Sequence, residues 1–212
     1  MDAPRTKICG VTRLADALLA AELGAWAVGM VFYPASSRRC TITAAETIGA
    51  ALRRRVELAG VFVNATLAEI ARISERTGLT LVQLHGEEGP AFCAEVARRT
   101  GARTIKAVSV RGAFSVRGIE RFHTDFHLLD GHAEGKRGGT GEPFDWSLVA
   151  AVRRSPVRLI VSGGLDAGNV REAIAATHPY AVDVASGVES SPGIKDPQRM
   201  RAFMEAAQAV AA

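Results

Sequence analysis

Short apolar runs and stretches of helically spaced apolar residues take turns along the whole chain. The first run, Thr6-Lys7-Ile8-Cys9-Gly10, leads into a segment where Leu14, Ala17, Leu18 and Ala21 recur on one helical face, with Thr12 placed to cap it and Gly24 to end it. The alternation then repeats. Further strands are predicted over 25–32, 56–63, 79–84, 102–108, 125–130, 157–161 and 180–185. Helices are predicted over 43–53, from a cap at Asn64 or Thr66 to Arg76, and over 87–99, 111–122, 145–154, 167–177 and 196–211. Segment 87–99 opens acidic and closes basic, which suits the helix dipole, and Pro197 sits at a favoured first turn. Segment 111–122 is weakened by Gly112 and Gly118, and the longest break, 131–143, is polar and glycine-rich.

Eight strand-helix pairs with no linker-like stretch imply one domain over 1–212. Strict alternation implies a parallel sheet covered by helices. Eight such units close most readily into a (β/α)8 TIM barrel, for which about 200 to 250 residues is usual. A doubly wound open sheet would carry an early Gly-x-Gly-x-x-Gly turn, and Gly10-Val11-Thr12-Arg13 offers none.

Composition adds bounds. With 212 residues, 48% hydrophobic and 23% charged, the chain has material for a real core. No apolar run approaches the roughly 18 residues of a membrane span, and Met1-Asp2-Ala3-Pro4-Arg5 has no apolar signal core behind it. A cytoplasmic protein without a membrane partner is expected, as monomer or homodimer. The net charge is +4, but basic residues are scattered, so nucleic acid is not expected, while a mild positive field favours a small anionic substrate. Cys9, Cys40 and Cys93 are widely separated and read as free thiols. His85, His123, His127, His132 and His178 form no metal-ligand set, since His127, four residues from His123, falls in a strand.

In a barrel, chemistry gathers where strands end. The residues just past the predicted strands are Cys9-Gly10, Arg38, Asn64, His85, Ser109, Asp130, Gly163-Gly164 and Ser186-Gly187. The last two glycine pairs follow strands seven and eight, the loops that commonly hold phosphate on backbone N–H groups, although glycine also simply permits a tight turn. Gly138-Gly139-Thr140-Gly141 offers further donors or a mobile lid. Alone, Asp130 reads equally as a capping or loop aspartate, and Cys9 as an inert buried thiol. Strands one and six can aim both into one mouth, which supplies two proton-transfer groups.

Lys7 alternates onto the face of Cys9, where a thiol beside positive charge becomes a more available thiolate. A lysine is almost never fully buried unpaired. Inward-facing Asp183 on the adjoining eighth strand is its expected ion-pair partner. Arg38 and Arg39 are either solvated or fork onto a carboxylate.

These motifs together resemble phosphoribosylanthranilate isomerase nearly end to end. The resemblance rests on Lys7-Ile8-Cys9-Gly10, Phe32-Tyr33-Pro34 with Ser36 and Arg38, Gly60-Val61-Phe62-Val63-Asn64, Gln83-Leu84-His85-Gly86, Leu128-Leu129-Asp130, Gly138-Gly139-Thr140-Gly141, Ser162-Gly163-Gly164-Leu165 and Asp183-Val184-Ala185-Ser186-Gly187-Val188-Glu189. It implies an Amadori rearrangement of N-(5-phosphoribosyl)anthranilate without cofactor or metal, by an aldose-ketose isomerase of tryptophan biosynthesis. It further implies Asp130 as general acid, Cys9 as general base, Arg38 on the anthranilate carboxylate, and Gly163, Gly164, Ser186 and Gly187 on the phosphate, with Lys7, Asp183, Gln83, His85 and Gly139 in support. Competing readings are a Schiff-base aldolase using Lys106 or Lys7 and a non-catalytic sugar-phosphate-binding barrel.

Overall fold

The computed structural model describes residues 3–110, 118–131, 146 and 158–209. Eight parallel strands, β1 (Arg5–Ile8), β2 (Ala27–Val31), β3 (Glu57–Phe62), β4 (Leu81–Leu84), β5 (Arg103–Val110), β6 (Phe126–Gly131), β7 (Arg158–Ser162) and β8 (Ala181–Val184), form a closed barrel in chain order. The barrel shuts where β1 pairs with β8, with Lys7 opposite Asp183. Each strand foreseen from the alternation is present, with no end moved by more than two residues.

Outside the barrel run α1 (Leu14–Glu22), α2 (Ile42–Leu52), α3 (Leu67–Thr77), α4 (Pro90–Thr100), α5 (Val170–Thr177) and α6 (Pro197–Gln208). The hydroxyls of Thr41 and Thr66 and the carboxylate of Asp196 cap α2, α3 and α6 by accepting first-turn amides, each contributing about 1 kcal/mol. The predicted segment 111–122 shows a 3₁₀ turn, Ile119–Phe122, entered from Gly118 at φ 70°, where a helix was expected to continue. Residues 111–117, the glycine motif with Gly139, and the helix expected over 145–154 apart from residue 146 lie outside the described residues.

Thr12 does not cap α1. The N-cap is Arg13, which makes no side-chain capping bond, and Thr12 Oγ1 donates instead to Gly193 O at 2.6 Å. Its partner belongs to a hairpin that sequence periodicity did not reveal. After β8 the chain makes a 3₁₀ turn, Ser186–Val188, then two short antiparallel strands, β9 (Glu189–Ser191) and β10 (Ile194–Lys195). Strands this short carry too few residues for a period to show.

Alternation sorts the strand side chains. Ile8, Val28, Met30 and Phe62 pack under the helices, while Ala27, Leu81, Ile105, Phe126 and Ile160 fill the lower barrel. Trp26, Phe126 and Tyr180 close that lower end, with ring centroids 5.3 to 5.6 Å apart. Higher along the same inward faces the residues turn polar: Lys7, Gln83, Asp130, Ser162 and Asp183. The interior is therefore sealed below and chemically equipped above, at the carboxyl ends of the strands.

Candidate active site

A cavity of about 600 Å³ opens at that upper end, lined by Cys9, Arg38, His85, Asp130, Gly163 and Ser186 among others. Cys9, just past β1, and Asp130, on β6, thus share one mouth, at 8% and 5% exposure. Each is mostly covered by protein yet reaches the cavity.

Beneath Cys9, Lys7 Nζ donates to Asp183 Oδ1 at 2.8 Å, the pairing expected from the β1/β8 seam. Ser162 Oγ donates to the other oxygen, Oδ2, at 3.2 Å. Burial alone would strip Lys7 of its proton, but Asp183 overrides it and holds the ammonium charged. For Cys9 the balance runs the other way. Burial pushes the thiol up, Lys7 pulls it back, Asp183 pushes it up again, and the result stands above the ordinary thiol value. The expectation of a readily available thiolate is corrected for the ligand-free protein: the charge of Lys7 is shared with Asp183, and desolvation outweighs what remains.

Gly29 on β2 makes room for this pair. A Cβ there would lie 2.8 Å from Cys9 Sγ, closer than real Cβ atoms come, and in tight contact with Lys7 Nζ at 3.2 Å. Sequence reading passed over Gly29, although a glycine inside a strand pattern signals close approach.

On the opposite wall Asp130 is held by a relay. His85 Nε2 lies 3.2 Å from Asp130 Oδ2, and His85 Nδ1 lies 3.0 Å from Gln83 Nε2. With the amide nitrogen of Gln83 donating, His85 carries its proton on Nε2 and donates it to Asp130. Gln83 Oε1 is buried without a partner among the described residues.

The two late glycine loops are locked together. Gly163 and Gly164 have φ of 91° and 64°, and a Cβ on Gly163 would lie 2.1 Å from Gly131 N. A Cβ on Gly187 would lie 2.0 Å from Leu165 O. Backbone packs on backbone here, so only glycine fits. Gly163, Gly164 and Ser186 line the cavity, and Gly187 follows Ser186 in the first turn of the short 3₁₀ helix. Among the described residues, the amides of Gly163 and Gly164 make no backbone hydrogen bond outside helices and strands.

Arg38 forks, as arginine does onto a carboxylate, but the carboxylate is Glu189 of its own chain. Nε donates to both Glu189 oxygens at 3.0 Å and Nη2 to Oε2 at 2.8 Å. Glu189 also holds Lys195, with Nζ to Oε1 at 2.9 Å. The sequence places Glu189 at the end of a motif and Lys195 in none, and neither stands out as a site residue because the hairpin that carries them is too short to show a period.

The remaining lysine with a proposed role is fully engaged. Lys106 Nζ donates to Gly86 O at 2.7 Å, Glu88 Oε2 at 2.8 Å and Leu84 O at 3.3 Å, which uses all three of its protons. Glu88 in turn accepts the amides of Asn64 and Gly86, both at 2.8 Å. This clamp ties the loops after β3 and β4 and so sets the height of His85. An ammonium so held is no carbonyl nucleophile, and Lys7, charged and paired, is none either. Among the described residues no group of three His, Cys, Asp or Glu side chains is placed to hold a metal ion.

A family model described as N-(5'-phosphoribosyl)anthranilate isomerase matches residues 6–206. The N-(5'-phosphoribosyl)anthranilate isomerase of Azotobacter vinelandii is 48% identical over 96% of this chain and 97% of its own. The crystal structure of phosphoribosyl anthranilate isomerase from Thermotoga maritima superposes with a TM-score of 0.91 at 41% identity, over 97% of this chain and 99% of that one. A phosphoribosyl anthranilate isomerase structure in complex with reduced 1-(o-carboxyphenylamino)-1-deoxyribulose 5-phosphate matches at a TM-score of 0.87 and 40% identity, over 97% and 99% of the two chains. Matches of this extent, on a closed eight-stranded barrel of the same topology, place the chain in the N-(5'-phosphoribosyl)anthranilate isomerase family.

Proposed function

We propose that this chain isomerises N-(5-phosphoribosyl)anthranilate to 1-(2-carboxyphenylamino)-1-deoxyribulose 5-phosphate with Asp130 as general acid and Cys9 as general base. The observation that carries the reading is the placement of Cys9 and Asp130 on separate walls of one cavity that Gly163, Gly164 and Ser186 also line. The related isomerase with its reduced product analogue supports a ligand that bears both a phosphate and an aryl carboxylate.

In this mechanism the amides of Gly163, Gly164, Ser186 and Gly187 take the phosphate, and Arg38 takes the anthranilate carboxylate. The ribose lies between them, across the mouth. Asp130 gives its proton to the ring oxygen as the C1′–O bond breaks, and the anilino nitrogen supplies the electron pair that makes the iminium. Cys9, as thiolate, removes the C2′ proton. The released pair forms the C1′–C2′ double bond and neutralises the iminium nitrogen. The resulting enolamine gains a proton at C1′ and loses one from the C2′ hydroxyl to give the ketone. Each positioned proton transfer contributes about 10²- to 10⁴-fold. Lys7 and Asp183 keep fixed charge under the thiol, and Gln83 and His85 orient the acid. Three free, buried cysteines support work in the reducing cytoplasm.

The test is loss of substrate fluorescence on adding the intact protein to freshly made N-(5-phosphoribosyl)anthranilate, with Cys9→Ser and Asp130→Asn alongside. Turnover by the intact chain and its loss in both variants is the expected result. No turnover by the intact chain overturns the assignment, and undiminished turnover by either variant overturns its role.

A further inference from the structure

We propose that Glu189, anchored by Lys195, is a positioning residue that fixes the edge of Arg38 with which the substrate carboxylate is read. The inference rests on the assignment of Arg38 to that carboxylate. A guanidinium has two edges able to fork onto a carboxylate, one made of Nε and Nη2 and one of Nη1 and Nη2. Glu189 occupies the first, with contacts of 2.8 to 3.0 Å. The second edge is the one left for a ligand, and Arg38 lines the cavity. A substrate carboxylate is therefore bound end-on, by Nη1 and the outer proton of Nη2.

The side chain has few ways to turn from this pose. Its stem crosses Gly10, where a Cβ would lie 2.7 Å from Arg38 Cδ. Glu189 itself is held from three directions: Lys195 Nζ at 2.9 Å and Gly193 N at 3.2 Å donate to Oε1, and Arg199 Nη1 donates to the Glu189 carbonyl at 2.5 Å. Lys195 Nζ also donates to Ala185 O at 3.0 Å, and its backbone amide donates to Asp16 Oδ2 at 3.2 Å. Side-chain exposure falls from 18% at Arg38 to 4% at Glu189 and 0% at Lys195. One buried carboxylate thus accepts from both Arg38 and Lys195, and of these three side chains Arg38 alone lines the cavity. Arg38 presents its free edge at the place where an anionic ring substituent would sit, and the hairpin β9/β10 carries the two residues, Glu189 and Lys195, that hold it there.

The test compares kcat/KM for N-(5-phosphoribosyl)anthranilate with that for N-(5-phosphoribosyl)aniline, which lacks only the carboxylate. In Glu189→Gln the ratio of the two is expected to fall about tenfold to a hundredfold, the worth of one charged hydrogen bond. The loss should appear in KM for the carboxylated substrate more than in its kcat. Glu189→Asp, which keeps the charge but shortens the arm, should give an intermediate ratio and decides the matter if Glu189→Gln does not fold. Arg38→Ala sets the scale. If Arg38→Ala leaves the ratio unchanged, the assignment of Arg38 fails and the inference falls with it. If Arg38→Ala collapses the ratio while the folded Glu189 variant preserves it, Glu189 has no positioning role and the inference alone is overturned.

Discussion

Lys7 Nζ and Asp183 Oδ1 lie 2.8 Å apart across the seam where β1 meets β8, so one ion pair both closes the barrel and underlies the thiol of Cys9. Lys7 is fully buried and Asp183 is 4% exposed. Removing one partner leaves an uncompensated buried charge, which costs about 3–5 kcal/mol. Asp183→Ala is accordingly expected to lower the unfolding free energy by that amount, read as a lower denaturant midpoint, and to reduce turnover as well, because the support beneath Cys9 shifts. A variant with unchanged midpoint and unchanged kcat would remove the pair from both roles.

Gly29 offers a separate test of how tightly the thiol is placed. In Gly29→Ala the new methyl, 2.8 Å from Cys9 Sγ and 3.2 Å from Cys9 Cα, has to displace the cysteine. Overpacking of this kind costs about 1–3 kcal/mol. A reacting group moved by about 1 Å loses on the order of a hundredfold in rate. The expected result is a folded protein with kcat lowered by about that factor and KM little changed, because the phosphate and carboxylate contacts lie elsewhere. Wild-type kcat would show that Sγ needs no fixed position.

The contrast between these two residues shows what the sequence made legible. Lys7, Cys9 and Asp183 could be placed on inward faces because strand alternation is a property of neighbours in the chain, and barrel closure then brings the first strand to the last. Asp130 followed from the same rule on β6. Gly29 carries the general signal of close approach that any glycine inside a strand pattern gives, but the groups that approach it, Lys7 on the neighbouring strand and Cys9 just past it, show only once the strands are paired. The hold of Glu189 on Arg38 escaped for a related reason: 151 residues separate them, and β9 and β10 are too short to announce themselves. The upward shift of the Cys9 thiol was not legible, because proximity to Lys7 can be read from spacing, whereas the desolvation that outweighs it comes from the whole barrel.

The structure also separates the isomerase from the Schiff-base alternative. Lys106 gives all three protons to Gly86, Glu88 and Leu84, and Lys7 is paired with Asp183. Borohydride reduction in the presence of substrate is therefore expected to leave the protein's mass unchanged, with peptides containing Lys7 and Lys106 unmodified. A covalent sugar adduct on either lysine would reverse the reading.

The pH dependence follows from the environment of Cys9. Burial and Asp183 raise its pKa, Lys7 lowers it, and the raised value prevails. The base acts as thiolate, so the reactive fraction grows as pH rises, and the ascending limb of kcat/KM should lie above the ordinary thiol pKa of about 8.5. Lys7→Met removes the one neighbour whose charge and hydrogen bond both favour the thiolate, and it is expected to move that limb further to the alkaline side. Asp183→Asn removes the partner that keeps buried Lys7 charged, so the thiolate loses the larger, favourable influence of Lys7 together with the smaller, unfavourable one of Asp183, and the limb should again move to the alkaline side. The pH–rate profiles of the three proteins, taken with thermal denaturation at each pH to confirm folding, read both shifts. A limb that stays in place in both variants would mean that a group other than Cys9 governs the base step.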